Sequence, residues 1–211
     1  MSERSVSRQQ RQKRWYTVVA PESFDRAELG TTPANEPNAV LERTIEATLG
    51  DLTDDAGANN VKLTFRINDV GSDTAYTQFE KHELTRDYLN SLVRRGASKV
   101  DAYLTVRTND NYRVRIQPVA FTTQKANDSQ EKAIRARMVE LVREAARDRS
   151  FQELVDSVTQ GRLSSAIYGE ARTIYPLRRV EIAKLALDAH PEEIAEEEET
   201  AVDVDESDVE V

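Results

Sequence analysis

The chain has 211 residues, with 29 Lys and Arg against 38 Asp and Glu, no cysteine, and a formal charge of -9 at pH 7. That length suits one good-sized domain, and the missing thiols exclude disulfides and thiolate metal sites and fit a reducing, cytoplasmic interior. No apolar run approaches the roughly 18 residues needed to span a bilayer, so the chain reads as soluble, with no membrane partner.

The charge is unevenly placed: residues 1–14 carry +4, residues 15–191 carry -2 and residues 192–211 carry -11. Arginine outnumbers lysine 22 to 7. Arg presents a planar, weakly hydrated fork that holds phosphate or carboxylate bidentately, whereas Lys is a strongly hydrated point charge. Few lysines among many carboxylates fit solubility in a very salty cytoplasm; GC-rich coding would leave the same bias.

In chain order, residues 1–14 lack apolar periodicity and are expected to form a basic arm that a partner would order. The arm leads into Trp15 and Tyr16, which either stack on a ligand or fill a core. Residues 25–39 contain two prolines and little apolar content, which predicts a loop. Residues 40–49 have high β-propensity at their centre, and residues 51–60 are a turn-rich connector. "VKLTFRI" alternates with Val61, Leu63, Phe65 and Ile67 on one face, which predicts a strand, and another is expected over 75–81. A helix follows, with Thr85 as N-cap, Leu84 and Leu89 as its hydrophobic staple, Leu89, Leu92 and Val93 as its buried stripe, and Gly96 as its stop.

Residues 100–121 predict a hairpin whose register can be argued. A two-residue turn at Asp110 and Asn111 would pair Val106 with Arg115 and mix the two faces. A three-residue loop, Asn109 to Asn111, pairs Val106 with Val114 and Leu104 with Ile116 and keeps one face apolar. This register sets Arg107 opposite Arg113, and Arg115 opposite Thr105, on the outer face near Tyr103. Opposed like charges destabilise a sheet unless an anion lies between them, and Asp101 offsets only part of this.

The last third reads as helical. Residues 126–149 begin with a capping box of Asp128 and Glu131, and carry an apolar stripe of Ile134, Met138, Leu141, Val142 and Ala145. A second helix is capped by Ser150 and Glu153, buries Phe151, Leu154, Val155 and Val158, and stops at Gly161. A third, over 164–174, ends before Pro176. Residues 178–188 are either a strand or a helix. From Pro191 onward the chain reads as an acidic tail without a core.

Motifs for chemistry are scarce. The chain has no GxxxxGKS or GxGxxG loop, no HExxH and no GxSxG. His82 and His190 stand in no ligand-spaced motif, so the chain is expected not to be an enzyme and to carry no cofactor or small-molecule substrate. What remains is basic and aromatic. Arg11, Lys13, Arg14 and Trp15 in the arm, with Arg107, Arg113 and Arg115 on the hairpin, are the RNA-binding candidates. Arg94, Arg95 and Lys99 follow where the first helix ends, then Arg178 and Arg179. The bases of residues 125–149 alternate with acids and read as helix-surface ion pairs.

"KRWYTVVAPESF" resembles the opening of the small-subunit ribosomal protein family S-three-A-e (e-S-one) of archaea and eukaryotes, through Trp15, Tyr16, Val18, Ala20, Pro21 and Phe24. "LTRD" at Leu84, "RTNDNYRVRI" at Arg107, "VAFT" at Val119 and "IYPLRRVEI" at Ile174 occur in that family's order. Two features depart from it: a short, arginine-based arm and a body far less basic than usual. The resemblance implies an α+β fold, a curved, mostly antiparallel sheet or partial barrel flanked by helices. Residues 15–191 would be one globular rRNA-binding domain, between the basic arm of residues 1–14 and a disordered acidic tail of residues 192–211. It also implies a structural constituent of the small ribosomal subunit, bound to rRNA on the platform near the mRNA exit beside neighbouring platform proteins, with mRNA itself close by. The alternative from another class is a non-ribosomal protein–protein adaptor with an acidic partner-binding tail.

Overall fold

A computed structural model describes residues 13–53 and 55–196, apart from the side chain of Ala56. Arg11 and residues 197–211 therefore lie outside the described residues. The fold is α+β, with nine strands in one open, mixed sheet. The main path through the sheet runs β2 (Glu28–Ala34), β1 (Arg14–Val19), β5 (Thr74–Leu84), β9 (Leu177–Ala189), β8 (Arg113–Thr122), β6 (Lys99–Asp101). β3 (Thr44–Thr48) pairs with β4 (Val61–Val70), which pairs with β5, and β7 (Leu104–Arg107) pairs with β8. Pairing is antiparallel in β1–β2, β5–β9, β6–β8, β7–β8 and β8–β9, and parallel in β1–β5. The chain divides into two compact units, residues 1–46 with 65–79, and residues 47–64 with 80–211.

In the first unit Tyr16, Val18, Ala34, Val40, Ile67 and Ala75 are buried together, with Leu29, Ile45 and Val70 against them. Phe24 meets Phe65 edge-on with ring centroids 5.3 Å apart, and Phe65 meets Phe79 edge-on at 6.3 Å. The predicted alternation of β4 holds, with Leu63, Phe65 and Ile67 all buried. The loop predicted over 25–39 does not: its middle is β2, whose Pro33 pairs with Trp15. β2 ends the sheet path, and an edge is where a strand tolerates proline, because one row of its backbone groups needs no partner.

In the second unit β8 and β9 form the long central pair, which settles residues 178–188 as strand. The helices α3 (Asp128–Asp148), α4 (Phe151–Thr159) and α5 (Arg162–Ala171) cover the sheet, α5 on β9 and α3 on β6 and β7. Ile134, Met138, Val142 and Ala145 of α3 are buried, as the stripe predicts, Ala146 is buried with them, and Leu141 is half-buried. The α4 cap is the predicted one: Glu153 accepts from the Ser150 N–H at 2.9 Å and donates its own N–H to the Ser150 hydroxyl at 3.3 Å. The α3 cap lies one residue earlier than predicted, with Gln130 Oε1 accepting from the Asn127 N–H at 3.0 Å. Asx and Glx pairs one residue apart offer the same spacing, so either reads as a cap.

A short helix, α1 (Leu49–Thr53), begins the connector, and α2 (Arg86–Leu92) follows Thr85 as predicted but ends at Val93 rather than at Gly96. Seven residues are too few to be stable alone. Leu89 and Leu92 pack on Val119, Phe121 and Ala183, and Val93 is 52% exposed rather than in the stripe. The run from Pro191, expected to have no core, is ordered as far as residue 196. Residues 191–196 are helical, Glu193 accepts from the His190 N–H at 2.9 Å, and Ile194 is buried. One apolar side chain in an acidic run is enough to anchor that turn.

Candidate nucleic-acid interface

In the first unit the period of two along β1 resolves the Trp15 and Tyr16 alternative. Tyr16 is 1% exposed and belongs to the core; Trp15 is 64% exposed. Lys13 and Arg14 are exposed beside it, Arg14 as the first residue of the strand. Trp15 shares its face of β1 with Val19, and Val19 registers with Tyr76 in parallel pairing. Tyr76, 41% exposed, therefore stands on the same face, a position the sequence reading did not single out. Two aromatic rings on one solvent-facing surface, with the exposed cations Lys13 and Arg14 next to Trp15 in the chain, suit unpaired bases and their phosphates.

In the second unit the hairpin has the argued register: Val106 faces Val114, Leu104 faces Ile116, Arg107 faces Arg113 and Thr105 faces Arg115. Asn111 adopts the left-handed conformation at φ 62°, as the three-residue loop requires. The anion demanded by the opposed arginines comes from within the chain. Asp188, near the end of β9, accepts from Arg113 Nε at 2.7 Å and forms an ion pair with Arg115. Only 17% of the Asp188 side chain and 26% of the Arg113 side chain is exposed, against 67% for Arg115. Arg113 is thus committed to the fold, and Arg115 keeps a solvent-facing side.

The hairpin tip is docked as well. Both Asp110 carboxylate oxygens accept from the Phe151 N–H, at 2.9 and 3.0 Å, satisfying a free donor in the first turn of α4. Tyr112 stacks on Phe151 with centroids 4.9 Å apart. Asp110 and Tyr112 of the hairpin motif therefore serve the fold. An Asp110→Ala variant is expected to lose about 1–2 kcal/mol of stability, as for loss of a helix cap; an unchanged urea midpoint would contradict this role.

The remaining candidates divide in the same way. Arg94 and Arg95 are exposed in the turn after α2, and Lys99 pairs with Asp101 at 3.3 Å. Arg179 Nε donates to Glu181 at 2.6 Å, and Glu181 also accepts from the Tyr88 hydroxyl at 3.1 Å. The Glu181 hydrogen bond holds Arg179 above the usual guanidinium range, and burial with the Glu181 charge raises Tyr88. Arg178 is half-buried, and one of its terminal nitrogens has no partner among the described residues. Arg179 is exposed but held by Glu181, whereas Arg178 is half-buried.

His82 lines a cavity of about 580 Å³ with Tyr88, Asn59, Asn60, Arg179 and Glu181. Burial pushes its imidazole down to about 4, against smaller upward contributions from a backbone hydrogen bond and the Glu83 charge. It is neutral near pH 7, and its Nδ1 has no partner among the described residues. No group of three or more potential metal ligands occurs among the described residues, nor any helix long and apolar enough to cross a membrane.

Comparison with known proteins adds the identity of the relatives. Residues 2–191 match the Ribosomal S3Ae family. The chain is 71% identical to the small ribosomal subunit protein eS1 of Haloarcula marismortui, over all of this chain and 99% of that one. It is 67% identical to the eS1 protein of Natronomonas pharaonis over 97% of this chain and 100% of that one. With the eS1 protein of Methanothrix thermoacetophila it shares 47% over 86% of each chain. The two higher-identity relatives come from halophilic archaea, in keeping with the scarcity of lysine. With its α+β fold, its segregated charge and these relatives, the chain belongs to the ribosomal S3Ae family, whose members are structural proteins of the ribosome and not enzymes.

Proposed function

We propose that this chain is a structural constituent of the small ribosomal subunit, binding small-subunit rRNA on the platform near the mRNA exit. Neighbouring platform proteins are its other partners, with mRNA passing close by. The observation that carries the rRNA reading is the exposure of Trp15 between Arg14 and the buried Tyr16. A tryptophan 64% exposed at the start of an otherwise packed strand contributes little to folding. It offers a ring for stacking.

This mode of binding also fits the charge. In molar salt the Debye length is about 3 Å, so the negative net charge is not felt at a distance. The counterion-release drive of basic proteins is weakened there too. Stacking and bidentate Arg–phosphate contacts persist because they act at contact range. A Trp15→Ala variant is therefore expected to bind a small-subunit rRNA transcript about tenfold more weakly in molar KCl with magnesium, within the range for loss of one stacked base. Its urea midpoint should stay unchanged. Equal affinity for the variant and the parent would remove the main support for this surface.

A further inference from the structure

We infer that the groove between β7 and α3 is a seat for RNA backbone phosphate. This deepens the rRNA reading and rests on it. The groove has a volume of about 460 Å³ and is lined by Arg107 from β7 and by Arg143 and Arg147 from α3, with Thr105 and Asn109 beside them. None of its lining residues is acidic.

The arginines of α3 fall into two groups. Arg137 is held by Glu140 at 2.6 Å and by Glu170 at 3.0 Å, and Arg135 Nε donates to the Asp101 carbonyl at 2.9 Å. Arg143 and Arg147 are exposed, and neither side chain has an ion pair or hydrogen bond among the described residues. Four residues apart, they stand one above the other on one face of the helix. Against that face lies β7, which among the described residues pairs with β8 alone. The sequence pattern of alternating acids and bases suggested ion pairs throughout this helix; the fold leaves these two arginines outside them.

Arg143 and Arg147, one turn apart along a groove whose lining holds no acidic residue, repel one another, and an anion between them relieves this. Their planar forks fit the paired oxygens of a phosphodiester, and the Thr105 hydroxyl and Asn109 amide add neutral donors. Arg107, opposite Arg113 in the β7–β8 register, brings the predicted arginine face to the edge of this groove. A nucleic-acid backbone supplies the required charge in a continuous run. It also matches the partner proposed for the rest of the molecule.

The test compares the full chain with an R143E/R147E double variant and with R162E, an exposed arginine on α5 outside the groove. Affinity for a small-subunit rRNA transcript is measured by filter retention over a series of KCl concentrations, with thermal unfolding followed in parallel. The double variant is expected to bind at least about tenfold more weakly, the scale for losing charged hydrogen bonds. R162E should stay within about twofold of the parent, and an R143K/R147K variant should recover only part of the loss because lysine lacks the fork. If the double variant unfolds early, R143Q and R147Q are read singly.

Undiminished affinity of the double variant, with the parent binding normally, would overturn the groove and leave the rRNA reading standing. Undiminished rRNA affinity with lost incorporation into subunits would assign the groove to an acidic segment of a neighbouring protein, which also overturns it. Failure of the parent itself to retain the transcript would instead overturn the rRNA reading, and the groove with it.

Discussion

Urea unfolding of an Asp188→Asn variant is expected to show a loss of about 3 kcal/mol, between the 0–1 kcal/mol of an exposed ion pair and the 3–5 kcal/mol of breaking a buried one. The carboxylate is 17% exposed and takes Arg113 and Arg115 at once. Across the strand from Arg113 stands Arg107. Removing one negative charge therefore leaves opposed arginines facing each other on adjacent strands, the arrangement that destabilises a sheet. Arg115→Gln, by contrast, should cost less than about 1 kcal/mol, because its guanidinium is mostly in water. Salt separates the two as well. The shielded Arg113–Asp188 contact should retain most of its contribution in molar KCl, while that of Arg115 is screened. An Asp188→Asn midpoint equal to the parent's would show that the carboxylate does not hold the hairpin.

Stability is expected to fall by about 3 kcal/mol as pH drops from about 6.5 to about 4 through the titration of His82 alone, at roughly 1.4 kcal/mol for each tenfold change in proton affinity. In the unfolded chain this histidine takes its proton near pH 6.5, while in the folded chain burial delays protonation to about pH 4. Between those values the unfolded state binds a proton that the native state refuses. The contribution of the neutral, buried ring is therefore fully present above pH 6.5, declines as pH falls, and is exhausted below about pH 4. A His82→Gln variant should lack this slope. Carboxylates titrate in the same region, so the difference between parent and variant stability from pH 7 to 4 is the quantity to plot. Parallel curves would mean that His82 is protonated in the native state and that the cavity beside it admits water freely.

Much of the fold was legible because local periodicity and turn chemistry leave few options. The hairpin is the clearest case. Only one loop length keeps Val106, Leu104 and their partners on a single apolar face, and Asn111 can take the positive φ which that loop needs. The Ser150 cap and the α3 stripe followed from spacing in the same way. Elements without a strong period were not legible. β2 looked like a loop because Pro33 and its polar neighbours obey edge-strand rules, and edges exist only once a sheet is assembled.

The candidate interface divides along the same line. Sequence alone determined that basic residues meet aromatics at Trp15, that three arginines share the outer face of the hairpin, and that the family is one of ribosomal proteins. Tertiary structure decided which of these side chains the fold consumes. Asp188 lies 73 residues beyond Arg115 and 75 beyond Arg113, and only the β8–β9 register brings it to both. Arg143 and Arg147 are indistinguishable in the sequence from Arg135 and Arg137, until packing supplies partners to one pair and an open groove to the other. Residue type and spacing define what a side chain can bind, whereas long-range pairing defines whether it is still available. A carboxylate far along the chain can neutralise an arginine as completely as a phosphate from outside.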